Sequence, residues 1–145
     1  MAARVLVINP HPGPNPQFVD ELTRVLAYCG ARVEVAEGGL AGRRAANSCE
    51  RVIVTGVPLD AGYSLSEPAV QARVERELGW LRDCGRPVLG ICYGHQVLGH
   101  LHGARVVAAA TAVEDPRFPL TLADPGDCPL FAGVDALEVF AEHRD

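Results

Sequence analysis

Strand-like and helix-like segments alternate up to about residue 112, and short Gly- and Pro-rich loops separate them. The strand-like runs are either wholly apolar or alternate with period two, whereas the helix-like runs carry one apolar stripe. These observations predict an α/β domain with a mostly parallel, open sheet flanked by helices. Arg4-Val-Leu-Val-Ile-Asn9 is apolar and β-branched and predicts a buried strand. Prolines at 10, 12, 14 and 16 exclude regular structure just after it, and Asn15 before Pro16 has the order of a cap and a first-turn proline. Phe18, Leu22, Val25, Leu26 and Cys29 then recur at helical spacing up to Gly30, a stop signal. Ala31 to Ala36 alternates as a second strand, and Arg51-Val-Ile-Val-Thr55 is a third. Ser64 and Glu67 have capping-box spacing before a helix with the stripe Val70, Val74, Leu78 and Leu81, which Gly85 ends. Pro87 to Ile91 is a fourth strand, Gly94 to Gly103 a short helix, and Ala104 to Ala110 a further strand. Beyond residue 112 prolines punctuate short strand-like pieces, of which Ala136 to Phe140 is the clearest.

The 145 residues suit one domain with a core of its own. All 13 basic residues are arginine, against 18 Asp and Glu, for a net charge of −5. That balance disfavours nucleic acid and anionic membranes as partners, because either needs a basic face. No apolar run is long enough to span a bilayer, and Met1-Ala-Ala-Arg4 leads straight into a strand without a signal-peptide pattern. The five cysteines are odd in number and form no Cys-x-x-Cys pair. They are expected to be reduced thiols in a cytoplasmic setting, most of them small buried hydrophobes.

The most informative segment is Gly90-Ile-Cys92-Tyr-Gly94-His-Gln96, entered by a strand and left by a helix. A cysteine with glycine two residues to either side has the layout of a nucleophile elbow, with thiol in place of hydroxyl. The sharp turn needs small neighbours and pushes the side chain out at the carboxyl end of the sheet, where open α/β folds bind ligands. A helix N-terminus favours thiolate, and the Tyr93 N–H is placed to stabilise an oxyanion. From the five residues alone, a buried core cysteine beside a tight turn is an equal reading.

The context goes further. Gly85-Arg-Pro-Val-Leu-Gly-Ile-Cys-Tyr-Gly-His-Gln-Val-Leu-Gly-His-Leu-His-Gly-Ala-Arg-Val106 resembles the nucleophile segment of class I glutamine amidotransferases, which have a flavodoxin-like fold. Arg51-Val-Ile-Val-Thr-Gly-Val-Pro58 looks like the strand and loop that supply the second oxyanion donor in that family. Leu137 to Asp145 is similar to a later strand leading to a Ser-His-Gly-Asp-like turn. Within the family, the chain looks most like the free-standing glutaminase subunits of GMP-synthase type. The resemblance implies that Cys92 attacks the side-chain amide of L-glutamine, forms a thioester and releases ammonia to a synthase or ligase partner. It implies oxyanion donors at the Tyr93 and Val57 N–H groups, and substrate contacts at Gly56 and Gln96. It implies no cofactor and no metal in this domain, with ATP and magnesium only on the synthase.

Two departures stand against the pattern. Val57 occupies a position that is normally glycine, and a β-branched residue is restricted if the turn needs positive φ. No His-x-Glu occurs in the sequence, so the family's catalytic His-Pro-Glu segment has no counterpart. The resemblance thus implies a single domain over residues 1–145 that is incomplete at its C-terminus, with weak or no activity on its own. His143, between Glu142 and Arg144, is a candidate base or partner-face residue. A degenerate regulatory domain, or another Cys-dependent hydrolase of the superfamily, are the alternative readings; Gln96 favours the glutamine branch. His95 is expected to pack on its helix. His95, His100 and His102 lack the i, i+4 spacing of a zinc pair. His11 reads as a solvated loop residue and Trp80 as packing, while Tyr63 and Ser64 either line the glutamine pocket or fill a loop.

Overall fold

The structure is a computed structural model, and it describes residues 2–10, 16–57, 63–107, 117–120 and 137–140. The chain divides into two compact units, the first over Met1–Ala108 and the second over Ala109–Arg144. The first holds strands β1 (Arg4–Asn9), β2 (Arg32–Glu37), β3 (Arg51–Val54) and β4 (Val88–Gly90) and helices α1 (Pro16–Tyr28), α2 (Gly39–Ala45), α3 (Pro68–Leu78) and α4 (Tyr93–Leu101). In the second, β5 (Arg117–Leu120) pairs antiparallel with β6 (Leu137–Phe140). The β6 span agrees with the expected strand at the end of the chain.

The four strands of the first unit are parallel in the order β2-β1-β3-β4, the doubly wound, flavodoxin-like arrangement. The pleat divides the apolar residues between two faces. Leu6, Ile8, Val52 and Val54 join the larger core with α3 and α4, whereas Val5, Val7 and Ile53 face Val19, Leu22 and Leu26 of α1. Burial on both faces is why β1 and β3 are continuous apolar runs.

The third helix bears out its stripe: Val70, Val74, Leu78 and Leu81 are all buried. Its start and end differ from expectation. Glu67 is itself the N-cap and makes no side-chain cap bond, with Pro68 in the first turn. Ser64 instead bonds within its own turn, its Oγ 2.6 Å from Ser66 Oγ. The helix ends at Leu78, and a 3₁₀ segment over Gly79–Asp83 carries Leu81 and Trp80 before Gly85. Trp80 packs as expected, and its Nε1 donates to the carbonyls of Gly39 and Glu77 at 3.1 Å each.

In α1 the buried face is offset from the predicted stripe. Val19, Leu22 and Leu26 pack inward, while Val25 is 59% and Tyr28 94% exposed. The periodicity identifies a helix but not which flank of its stripe meets the sheet. Asn15, the expected cap, lies outside the described residues. The expected strand at Ala104 to Ala110 is absent over residues 104–107, and 108–110 lie outside the described residues. Of the four described cysteines only Cys49 is buried, against the expectation that most would be; Cys29 and Cys92 are exposed.

Residues 37–50 carry no strand or helix signal in the sequence, so α2 is an element that only the structure reveals. Its Gly-Leu-Ala-Gly-Arg-Arg-Ala sequence has poor intrinsic helix propensity. The glycines are there for contact. A Cβ on Gly39 would overlap the Glu77 carbonyl of α3, and one on Gly42 would stand 2.7 Å from Ile8 Cδ1. Gly39→Ala is therefore expected to destabilise by about 1–3 kcal/mol in urea unfolding, although alanine is about 1 kcal/mol the better helix former. A stabilised variant would contradict that close approach.

An ionic clamp joins the later elements. Arg82 pairs with both carboxylate oxygens of Glu75 at 2.7 and 2.6 Å, and its Nε donates to the Leu101 carbonyl at the end of α4. His100 Nε2 lies 3.1 Å from Glu75 Oε1. The Arg82 bonds hold the Glu75 carboxyl below its ordinary pKa. This contribution is present above the unfolded carboxyl pKa and is lost as pH falls through the lowered one; the pair's exposure keeps it small.

Candidate active site

At the carboxyl edge of the sheet Gly56 meets Cys92, with Val57, Tyr93 and Gln96 in the adjoining segments. Ile91 N–H donates to the Val54 carbonyl at 2.9 Å, so the chain is still tied to β3 one residue before Cys92. It then turns sharply. Cys92 has φ 54° and ψ −113°, and among the described residues it is the only non-glycine with positive φ. Its carbonyl accepts from the N–H groups of His95 and Gln96 at 2.9 and 3.2 Å, which starts α4. A cysteine in this conformation is strained, and the surrounding contacts hold it there.

Those contacts explain the glycines. A Cβ on Gly90 would overlap the Gly94 carbonyl, and one on Gly94 would overlap the Val54 carbonyl. The elbow thus fits only because α4 begins in backbone contact with β3 and β4. A third glycine faces the thiol itself: a Cβ on Gly56 would stand 3.1 Å from Cys92 Cβ and 3.6 Å from its Sγ. Gly56, expected beside the substrate, is therefore brought against Cys92 from the neighbouring strand. The Cys92 side chain is exposed, so the core-cysteine reading does not hold.

Tyr93 follows, only 3% exposed, and its N–H makes no backbone hydrogen bond among the described residues. Such an N–H, in the first turn of a helix, is free for an incoming ligand. Val57 is half-buried against the larger core, and its φ is not positive, so the β-branched side chain brings no strain to this conformation. Gln96 lies in the first turns of α4, half-buried. His95 is exposed, which corrects the expectation that it packs on its helix. His11, Pro58 and His143 lie outside the described residues.

Two features escaped the sequence reading. Asn9, 1% exposed at the end of β1, donates from Nδ2 to Glu37 Oε2 of β2 at 2.8 Å. The register Asn9↔Glu37 creates this pair, and only strand pairing could have revealed it. Arg73 of α3 lies over the Tyr63 ring, 3.9 Å from its centroid, with nothing in the local sequence to mark it. Among the described residues no cluster of three or more His, Cys, Asp or Glu could hold a metal ion. Nor is any described helix long and apolar enough to cross a membrane.

A parallel doubly wound sheet with a strained cysteine between close-packed glycines defines an α/β protein of the nucleophile-elbow class. Residues 15–145 match the family model of class-I glutamine amidotransferases, and the chain belongs to that family. Over 67 residues, 46% of the chain, it is 42% identical to a GMP synthase [glutamine-hydrolyzing] of Thermomicrobium roseum, of which this covers 12%. It is 38% identical over 97 residues, 65% of the chain, to the GMP synthase [glutamine-hydrolyzing] of Nitratidesulfovibrio vulgaris strain DP4, covering 17% of it. A probable chloroplastic aminodeoxychorismate synthase of Oryza sativa subsp. japonica is 45% identical over 47 residues, 32% of the chain and 5% of that protein. The chain thus spans between 5% and 17% of the length of these relatives.

Proposed function

We propose that this chain hydrolyses L-glutamine through Cys92 and supplies the ammonia to a synthase or ligase partner. The exposed, strained thiol at the start of α4, seated against Gly56, carries the reading. The helix N-terminus favours thiolate. The Cys92 sulfur attacks the amide carbon of glutamine, and the negative charge that develops on its oxygen is met by the Tyr93 and Val57 N–H groups. Collapse breaks the C–N bond, and the departing nitrogen takes up a proton and leaves as ammonia. Water then cleaves the thioester to glutamate and returns the thiol. Gly56 and Gln96 border the substrate. The proton transfers need a base; His143 is the candidate in this sequence. The domain acts without a cofactor or metal of its own, and ATP and magnesium belong to the partner that consumes the ammonia.

A glutamine-analogue diazo-ketone tests this. It is expected to modify Cys92, to be blocked by L-glutamine, and to leave the likewise exposed Cys29 untouched. Mass spectrometry of digests reads the adducts, with Cys92→Ala as control. Absence of the adduct, while iodoacetamide still alkylates Cys92, would overturn the proposal in favour of a degenerate regulatory domain or a hydrolase of another substrate.

A further inference from the structure

The Tyr93 ring is buried directly after the nucleophile, yet its hydroxyl has no hydrogen-bond partner among the described residues. Buried tyrosines ordinarily find one. Its tip makes no hydrogen bond of ordinary geometry, although the Arg73 side chain acts on the hydroxyl, so packing and that cation together hold the ring. Tyr63 meets it edge to face, centroids 6.0 Å apart and planes at 86°. The same Tyr63 ring carries the Arg73 guanidinium over its face at 3.9 Å. Burial pushes the Tyr93 phenol pKa up, and the hydrogen-bonding and charge interaction with Arg73 opposes that shift.

Each member of this stack sits on a fixed support. Arg73 belongs to α3, rooted on either side by buried Val70 and Val74. The segment carrying Tyr63 is anchored by fully buried Leu65, whose carbonyl accepts from Gln71 Nε2 of α3 at 2.8 Å. Tyr93 begins α4, and its peptide N–H is the donor beside the nucleophile. A force that fixes the ring therefore fixes that N–H, and a displacement near 1 Å at an oxyanion donor is enough to slow a reaction severely.

We propose that Tyr63 and Arg73 are positioning residues for the oxyanion donor, holding the Tyr93 peptide through an Arg73–Tyr63–Tyr93 stack. The proposal rests on the reading of Cys92 as the glutamine nucleophile. The test measures the maximal rate and the half-saturating concentration of diazo-ketone labelling at Cys92 in the full chain. Iodoacetamide reports the thiol's intrinsic reactivity, and circular dichroism confirms that each variant is folded. Tyr63→Leu is expected to lower the maximal rate about 10-fold, with half-saturation and iodoacetamide rate within about twofold of the parent. Tyr63→Phe, which keeps the ring, should retain clearly more of the rate than Tyr63→Leu. Arg73→Gln should lower the rate about 3-fold and Arg73→Lys restore most of it, since either cation can sit over the ring.

Unchanged labelling in Tyr63→Leu would overturn the proposal. So would a parallel fall in diazo-ketone and iodoacetamide rates, the mark of a merely structural role, or a fall in Tyr63→Phe as deep as in Tyr63→Leu. If Tyr63→Leu does not fold, Arg73→Gln decides alone. A parent chain that iodoacetamide modifies and the diazo-ketone does not would remove the glutamine reading and this one with it. A labelled parent with indifferent variants would remove only this one.

Discussion

Cys92→Gly is expected to abolish glutamine hydrolysis and diazo-ketone labelling while making the fold more stable than Cys92→Ala does. At φ 54° and ψ −113° the Cβ of any L-residue is crowded by its own backbone, a cost of about 1–3 kcal/mol that glycine avoids. Glycine loses about 0.5–1 kcal/mol of that gain through its freer unfolded chain, so the net difference from alanine should be about 1 kcal/mol. Alanine keeps the Cβ and hence the strain. Urea unfolding followed through the single tryptophan, half-buried Trp80, gives the two stabilities directly. If the glycine variant is no more stable than the alanine variant, the elbow is not strained as described. The expected outcome would show stability surrendered at the one position whose side chain is proposed to do the chemistry.

The second large effect is expected at Gly94→Ala. The added methyl would overlap the Val54 carbonyl and stand 3.1 Å from that of Thr55, and these are strand backbone with nowhere to go. The start of α4 must then lift off β3, taking Cys92 and the Tyr93 N–H with it. Overpacking of this kind costs about 1–3 kcal/mol of stability, and the displaced donor should slow labelling of Cys92 by about 100-fold. Gly99→Ala is the matched control in the same helix. There the new methyl meets only Ala104 Cβ at 3.5 Å, an ordinary contact, and better helix propensity should make the change neutral or favourable. Equal effects at the two positions would mean that generic helix propensity, not the approach of α4 to β3, governs the elbow.

Much of the sheet was legible because strand and helix signals are local. The runs at Arg4 to Asn9 and Arg51 to Val54 are buried on both faces, and such strands must be apolar throughout. Val70, Val74 and Leu78 are buried because a helix shows one face to one sheet, and Leu81 continues that face from the 3₁₀ segment. The elbow was legible for the same reason, since its glycines stand at fixed offsets from Cys92. The failures came where a contact between distant segments outweighed a local rule. Gly39 and Gly42 read as breakers yet lie within a helix, because α2 approaches Glu77 and Ile8 too closely for a side chain. Ser64 and Glu67 have the spacing of a capping box, but Pro68 sets the helix start and leaves Glu67 at the cap.

By itself, the sequence determined the four parallel strands and their order along the chain, the apolar face of α3 and the placing of one cysteine at a strand-to-helix turn. Each of these depends on residues a few positions apart, and backbone geometry converts such spacing directly into structure. Only the tertiary structure decided that Gly56 lies against the Cys92 thiol, that Asn9 meets Glu37, and that Arg73 and Tyr63 reach Tyr93. These contacts join residues far apart in the chain, and they exist because parallel pairing aligns the strand ends on one edge while α3 and α4 pack on one face. The distances between packed elements set them, and no periodicity in the chain encodes those distances.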